Sequence, residues 1–140
     1  MGVGIDLVDI VRAEGMLEAH RRRVLERLLT DAERHYVIGM KHPARHLAVR
    51  LAAKEAVYKA LQSLPGAREV GWREIEVVRG GDGRPSIRLH GLAEQLLEQH
   101  GHPRILVSLT HSELSAAAVA ILLGSAGMAA GRGEERGTKR

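Results

Sequence analysis

The stretch HLAVRLAAKEAVYKALQ, from His46 to Gln62, decides how this chain folds. Its large apolar residues recur at helical spacing and alanine fills much of the rest, which predicts a long helix packed in the core; they are Leu47, Leu51, Tyr58 and Leu61. Pro43 interrupts the chain before this helix, and Pro65-Gly66 ends it. The remaining elements are placed outward from this helix.

The residues before the long helix predict one strand and further helices. Val3, Ile5 and Leu7 alternate with Gly4, Asp6 and Val8, which indicates a short strand over residues 3–8. A helix is predicted from Ile10 to His20, followed by an apolar helical turn over residues 24–29. The sequence TDAE at residues 30–33 has the pattern of a capping box, so another helix should begin there.

The residues after the long helix predict two strand pairs separated by a helix. Strands are expected at 72–78 and 86–90 around a GGDG turn, a helix at 92–100, and strands at 105–110 and 116–123. The order β, several α, ββ, α, ββ predicts an α+β domain with helices packed on a mainly antiparallel sheet. We expect this domain to span residues 1–123, and the Gly-rich, charged residues 124–140 to be a disordered tail.

Composition excludes several classes of protein. The 140 residues include no Cys, so a disulfide framework and a thiolate metal site are both excluded. No apolar run approaches the ~20 residues of a membrane helix, and the first residues lack a basic signal region, so we expect a cytoplasmic protein. The net charge of +4 lies half in the tail and aromatic residues are few, which argues against nucleic-acid binding.

Three segments carry residues suited to chemistry, and each also has an ordinary structural explanation. Asp6 lies in the predicted first strand between glycine and apolar residues, where it either binds a ligand or belongs to a solvated strand face. Val107–Ser112 places Ser108 and Thr110 on one strand face with His111 at the turn, which suits phosphate binding. A surface histidine at a capped turn is the simpler interpretation, and a hydrolytic Ser–His pair lacks the Gly-x-Ser-x-Gly elbow.

The third segment is RLAAKEAVYK, residues 50–59, on the long helix. It carries Glu55 close to Arg50, Lys54 and Lys59, with small alanines between them. Surface ion pairing of Glu55 with Lys59 explains one pair and contributes only ~0.3 kcal/mol. The alanines around these charges suggest that the helix leaves room for a ligand.

Together these segments resemble the holo-acyl-carrier-protein synthases, the short class of 4′-phosphopantetheinyl transferases. That family has an N-terminal Gly-x-Asp strand, a helix reading RFAxKEAxxKA and a late strand reading VSx(S/T)H. This chain has GID at residues 4–6, RLAAKEAVYKA at 50–60 and VSLTH at 107–111, in the same order and spacing, and the GRP turn at 83–85 matches the Gly-x-Pro hairpin of the family. Leu51 departs from the usual phenylalanine, and QSLPG at 62–66 replaces a glycine-rich turn.

The resemblance implies a Mg²⁺-dependent transferase that moves phosphopantetheine from coenzyme A to a serine of an acyl carrier protein and releases 3′,5′-ADP. It implies that Asp6 and Glu55 bind the metal and that Glu55 and Lys59 are catalytic. Coenzyme A would be bound by residues from the three segments and the hairpin: Arg50, Lys54, Lys59, Gly83, Pro85, Ser108, Thr110 and His111. The proton of the attacking serine would leave through Glu55 or a metal-bound water, and we favour that water relayed through Glu55.

The resemblance also implies protein partners. Arg12 and Arg23 match basic positions that dock the acidic carrier protein, although Glu14, Glu18 and Glu26 dilute the charge of this segment. The short members form homotrimers with active sites at subunit interfaces, and a chain of this length without an internal repeat is consistent with that. The carrier served, from fatty-acid, polyketide or peptide synthesis, stays open. The rival hypotheses are a noncatalytic module that binds coenzyme A or carrier protein, and a basic nucleic-acid binder.

Overall fold

A computed structural model describes residues 1–124, so the predicted tail lies outside the described residues except for Gly124. The strands are β1 (Gly2–Asp9), β2 (Ile75–Arg79), β3 (Pro85–Leu89), β4 (Arg104–His111) and β5 (Ser115–Leu123). The helices are α1 (Ile10–Leu28), α2 (Asp31–Ile38), α3 (Pro43–Leu61) and α4 (Gly91–Gln99). The predicted α+β class is confirmed. No described helix is long and apolar enough to span a membrane.

The strands form two antiparallel sheets. In the larger sheet β5 lies between β1 and β4, and β2 pairs with β3 as a separate hairpin. Asp6 and Leu109 are both opposite Ala118 of β5, on its two sides. Because neighbouring strands lie about 4.8 Å apart, these two residues are about 10 Å apart across the sheet.

The long helix α3 lies on the inner face of the larger sheet, and small residues allow the close approach. A Cβ atom on Gly4 would lie 1.9 Å from the carbonyl oxygen of Ala56, and one on Gly2 would lie 2.2 Å from that of Ala60. The alanines of α3 are fully buried in this contact; Ala52, Ala53 and Ala56 are all 0% exposed. The sequence suggested that these alanines leave space for a ligand, but the structure fills that space with β1 and β5.

The outer face of the larger sheet is apolar and uncovered in the single chain. Val3, Ile5 and Leu7 of β1 are 67%, 69% and 63% exposed. Leu106 and Ile121 continue this face on the two other strands, and they are opposite one another in the register of β4 with β5. We call these five residues the outer apolar face. Asp6 lies on the other side of β1, toward α3, so it does not belong to a solvated strand face.

Several element boundaries differ from those that the sequence predicts. Residues 72–78 are not one strand, because Trp72–Glu74 forms a turn of 3₁₀ helix and the strand begins only at Ile75. The two helical segments predicted between residues 10 and 29 are confirmed, since the backbone of α1 is kinked and non-helical at His20, where φ is −147° and ψ is 48°. The capping box at Thr30 is confirmed, since its hydroxyl accepts a hydrogen bond from the Glu33 N–H and the Glu33 carboxylate accepts one from the Thr30 N–H.

A buried ion pair joins α2 to α3. The Nζ atom of Lys54 lies 2.7 Å from Oε1 of Glu33, and both side chains are at most 1% exposed. Lys54 also donates to the carbonyl oxygens of Trp72 and Ile75, and the second carboxylate oxygen of Glu33 accepts the N–H of Val77. Burial lowers the pKa of Lys54, and the Glu33 carboxylate opposes that shift by stabilising the charged form. This pair fixes β2 against the two helices.

Candidate active site

Asp6 and Lys59 meet where β1 crosses α3. The Nζ atom of Lys59 lies 3.2 Å from Oδ1 of Asp6 and donates a hydrogen bond to the carbonyl oxygen of Ile5 at 3.0 Å. The Asp6 side chain is 19% exposed, so solvent and small ligands reach it. Glu55 is half-buried and lies one helical turn before Lys59, on the same face of α3. The structure therefore joins Asp6 directly to the predicted catalytic lysine, and helical spacing places Glu55 one turn from Lys59, where it also lines a cavity of about 210 Å³ with Tyr58 and Trp72.

The carboxylates on this side of α3 are of the kind that would hold a magnesium ion only together with a phosphorylated substrate. Among residues 1–124 no three His, Cys, Asp or Glu side chains group into a complete metal site. Mg²⁺ commonly takes only one or two carboxylates and completes its shell with substrate phosphates and water. Asp6 and Glu55 are the two carboxylates that would hold such an ion, and Lys59 holds a compensating positive charge beside Asp6.

A second feature is a cavity of about 200 Å³ on the other side of α3. Five basic side chains line it and no described Asp or Glu does; they are Arg45, His46, Arg50, Arg79 and His111. Gly83, Pro85, Leu109 and Thr110 complete much of the wall. We call this the cationic cavity. Its charge suits an anion, and it gathers five of the residues predicted to bind coenzyme A.

Arg50 is the most deeply placed cation of the cavity. It is 6% exposed, its Nη1 donates to the carbonyl oxygen of His46, and its Nε has no hydrogen-bond partner among the described residues. Burial lowers the pKa of the Arg50 guanidinium, while Glu33 and Tyr36 act in the opposite direction. A buried cation without an adjacent carboxylate is costly, and a bound phosphate would supply the missing partner.

His46 shows the positive potential of the cavity. Burial lowers its pKa below the ordinary 6.5, and Arg50, Arg79, Arg45 and His111 lower it further by repulsion. The unfolded chain therefore binds more protons at this residue than the folded chain does below pH 6.5. The contribution of neutral His46 to the free energy of unfolding is therefore present near neutral pH and is lost as the pH falls below 6.5.

We expect His46→Phe to flatten the pH dependence of stability between pH 7 and 5. The gain at acid pH is up to about 1.4 kcal/mol for each unit by which the pKa is lowered. Urea unfolding at a series of pH values measures it, and His35→Phe, at an exposed position on α2, is the matched control. Hydrogen bonds from His90 and Thr30 outweigh burial and lower the pKa of Glu76. The contribution of Glu76 to stability therefore changes only below its ordinary pKa of 4.5, outside the pH range of this experiment. A His46→Phe protein with an unchanged slope would contradict this explanation.

The sequence of this chain is similar to those of known proteins. The family model of the 4′-phosphopantetheinyl transferase superfamily matches residues 2–120, which include both the acidic side of α3 and the cationic cavity. The chain belongs to this superfamily. Holo-[acyl-carrier-protein] synthase from Gloeobacter violaceus is 46% identical over 123 residues, covering 87% of this chain and 92% of the relative. The synthase of Syntrophotalea carbinolica is 46% identical over 111 residues, covering 79% and 85%.

Solved structures of the superfamily share the fold. A holo-(acyl-carrier-protein) synthase from Bacillus anthracis, in complex with CoA (3′,5′-ADP), superposes with a TM-score of 0.72 at 32% identity, covering 89% of this chain and 96% of that one. An ACPS–CoA complex from Chronobacterium ammoniagenes gives a TM-score of 0.75 at 31% identity, covering 89% and 97%. The family resemblance carried by the three sequence segments is thus confirmed.

Two of the expected coenzyme A ligands of this phosphopantetheinyl transferase lie elsewhere. The ammonium group of Lys54 is held by Glu33 and two carbonyl oxygens and its side chain is 0% exposed, so its charge is not offered to the cationic cavity; Lys54 instead lines a separate cavity with Glu55. We therefore correct its role to that of a structural ion-pair partner. Ser108 is not among the residues that line the cationic cavity and lies on the exposed outer side of β4. The sequence predicted Glu55 to lie close to Arg50, but the two residues line different cavities on different sides of α3.

Sequence reasoning missed several members of the cationic cavity. His46 precedes Arg50 by four residues on α3, so helical spacing from Arg50 contained its signal, whereas Arg45, five residues before Arg50, is not marked by that spacing. Arg79 is opposite Pro85 in the β2–β3 hairpin, and only that register carries it to the cavity. Tyr36 reaches the same cations from α2, and no motif marked it.

The predicted docking arginines are both exposed on α1, one on each side of its kink. Arg12 lies before His20, and Arg23 lies after it among Arg21, Arg22 and Arg27. The arginines that follow the kink surround a shallow depression in which Glu26 is the one acid among its described lining residues, paired with Arg22 at 3.0 Å. This surface therefore carries a net positive charge.

Proposed function

We propose that this chain is a holo-[acyl-carrier-protein] synthase. It transfers the 4′-phosphopantetheine group of coenzyme A to a serine of an apo acyl carrier protein and releases 3′,5′-ADP. The observation that carries the proposal is the pairing of a two-carboxylate site beside Lys59 with a cavity lined by five basic side chains, in a chain of this superfamily. A noncatalytic binder of coenzyme A would not need both carboxylates beside that lysine.

The reaction needs what these residues offer. The serine oxygen forms a bond to the phosphorus that carries pantetheine, the bridging P–O bond breaks, and 3′,5′-ADP leaves with the electron pair. Mg²⁺ held by Asp6 and Glu55 would neutralise charge on the diphosphate. Lys59 places an ammonium beside the same phosphates and stabilises the charge of the leaving group. Glu55 provides the route for the serine proton, directly or through a water molecule.

One coenzyme A molecule must meet both parts of the site, and a single chain holds them apart. Asp6, Glu55 and Lys59 lie along the β1 side of α3, whereas the cationic cavity lies along the β4 side. The body of α3, about 10 Å across with its side chains, stands between them. We propose that the acidic side of one subunit faces the cationic cavity of the next, so that each complete site forms at a subunit interface.

The outer apolar face supports this assembly. Three alternate residues of β1, which share one face of the strand and are each more than 60% exposed, form a patch of the kind that marks a protein interface. A head-to-tail contact between copies gives a ring when the rotation between them closes, and the resemblance to the short synthases favours a closed ring of three. Burial of this face between subunits would stabilise the assembly.

Ile5→Lys is expected to break the assembly and to abolish transfer, because it puts a charge into the buried interface. Light scattering with size-exclusion chromatography measures the mass, and the carrier assay measures transfer. Ile38→Lys, at a 48% exposed position on α2, is the matched control and should leave the mass unchanged. A fully active Ile5→Lys monomer would refute the shared site.

The experiment that tests the activity is a direct one. The protein is mixed with coenzyme A, Mg²⁺ and apo carrier protein, and the carrier is then weighed by mass spectrometry. Transfer adds one phosphopantetheine to the carrier, and omission of Mg²⁺ tests the metal.

The arginine surface of α1 is proposed to dock the acidic carrier, so the double change Arg12→Glu and Arg23→Glu should weaken carrier binding most strongly at low salt. Unchanged carrier affinity in that variant would remove the docking proposal.

A further inference from the structure

The tyrosine of α2 lies against two cations of the cationic cavity. The guanidinium carbon of Arg50 lies 4.3 Å from the ring centroid of Tyr36, and that of Arg79 lies 5.8 Å from it. His46 meets the same ring edge-on, with 5.6 Å between the ring centroids. One aromatic ring thus contacts three basic side chains that come from α3 and β2.

This arrangement needs an explanation because the cations repel one another. Among residues 1–124, Arg45, Arg50 and Arg79 make no ion pair with a carboxylate, and the Nε atoms of Arg45 and Arg50 are buried without a hydrogen-bond partner. The negative face of an aromatic ring attracts a guanidinium within about 6 Å of its centroid. Tyr36 therefore attracts Arg50 and Arg79, neither of which makes an ion pair with Glu33, the carboxylate that attracts Arg50 from a greater distance.

The kind of anion that suits this cluster follows from charge. A phosphate monoester carries close to two negative charges at neutral pH, whereas each phosphate of a diphosphate bridge carries one. Coenzyme A has a single phosphate monoester, on its ribose. Three guanidinium groups with two histidines match that group better than they match the bridge, and the guanidinium fork suits its oxygens.

We propose that Tyr36 is a positioning residue that holds Arg50 and Arg79 for the ribose phosphate of coenzyme A, and that Arg79 contacts this phosphate. The inference rests on the proposed function, since it assigns residues of the same site. It makes Tyr36 and Arg79 determinants of the preference for coenzyme A over 3′-dephospho-coenzyme A. A tyrosine that only filled space in the core would affect both ligands alike.

The test compares KM and kcat for coenzyme A and 3′-dephospho-coenzyme A in four variants. Tyr36→Leu removes the ring, and Tyr36→Phe retains it. Arg79→Gln removes one cation at an exposed position, and Arg88→Gln, an exposed arginine of β3 outside the cavity, is its matched control. Thermal unfolding of each variant reports whether it is folded.

We expect Tyr36→Leu and Arg79→Gln to raise KM for coenzyme A about tenfold, the size of a partly desolvated cation–π or charged contact. KM for 3′-dephospho-coenzyme A should change less than about twofold, and Arg88→Gln should behave as the unchanged protein. Tyr36→Phe keeps the ring and loses only the hydroxyl that interacts with Arg50, so its KM for coenzyme A should rise less than that of Tyr36→Leu. An equal rise for both ligands, or a Tyr36→Phe variant as impaired as Tyr36→Leu, would overturn the proposal. If Tyr36→Leu fails to fold, the ratio of the two KM values in Arg79→Gln, compared with that in Tyr36→Phe, decides the proposal.

The two proposals fail differently. If the unchanged protein does not modify any carrier, the transferase proposal fails, while calorimetric titration with the two coenzymes still measures the preference. If the unchanged protein transfers phosphopantetheine but Arg79→Gln leaves the ratio of the two affinities unaltered, the assignment of Tyr36 and Arg79 fails and the transferase proposal stands.

Discussion

Replacing Glu55 with glutamine is expected to lower the rate of phosphopantetheine transfer by roughly 10²- to 10³-fold. The substitution keeps the size of the side chain but removes the charge that would hold Mg²⁺ and accept the serine proton. Asp6→Asn should have a similar effect, because Asp6 is the second carboxylate beside Lys59. Mass spectrometry of the carrier over time measures the rate.

The controls for this experiment separate chemistry from folding. Glu98→Gln makes the same change at an exposed position on α4 and should leave the rate unaltered. Glu55→Gln should also retain its affinity for 3′,5′-ADP and its assembly, since the cationic cavity does not include this residue. A Glu55→Gln protein with the full rate of transfer would show that the acidic side of α3 is not the reaction centre.

Lys54→Met is expected to cause the largest loss of stability among the single substitutions considered. It leaves the Glu33 carboxylate, 1% exposed, without its ion-pair partner in the core, which costs about 3–5 kcal/mol. Glu33→Gln should be similarly harmful, because three protein groups bind that carboxylate. Urea unfolding followed by circular dichroism measures both effects.

A double substitution distinguishes an unpaired buried charge from a simple loss of packing. Lys54→Met combined with Glu33→Leu removes both charges and should lose less stability than the sum of the single changes. Arg22→Met, in the exposed pair with Glu26, is the matched control and should unfold with the unchanged protein. Strictly additive effects of the two core substitutions would argue against a coupled ion pair.

Local sequence patterns predicted much of the fold because they act over short distances. The capping box at Thr30, the apolar spacing of α3 and the alternation in β1 each concern residues within a few positions of one another. The same kind of pattern failed at Trp72–Glu74, where apolar alternation continues into a 3₁₀ turn whose conformation depends on the Gly71 N–H and the Glu74 carboxylate.

The motifs of the family also marked Asp6, Glu55 and Lys59 through residue types and spacing alone. The chain itself did not reveal which face of each element they occupy. For Asp6, the choice between a solvated face and one turned toward α3 depended on Gly4, whose missing side chain lets β1 approach Ala56. The orientation of Asp6 toward α3 also determines the outer apolar face. Because side chains alternate along a strand, Val3, Ile5 and Leu7 point away from α3.

The sequence by itself determined the family, the α+β class and the chemical identity of the reacting groups, since these depend on residue types at fixed spacings. Only the tertiary structure decided that Lys54 is a buried partner of Glu33, that Arg79 joins the cationic cavity, and that Tyr36 packs against two of its arginines. The physical reason is that the role of a charged side chain depends on the partners that packing brings within reach, and these partners lie 14 to 54 positions away in the chain.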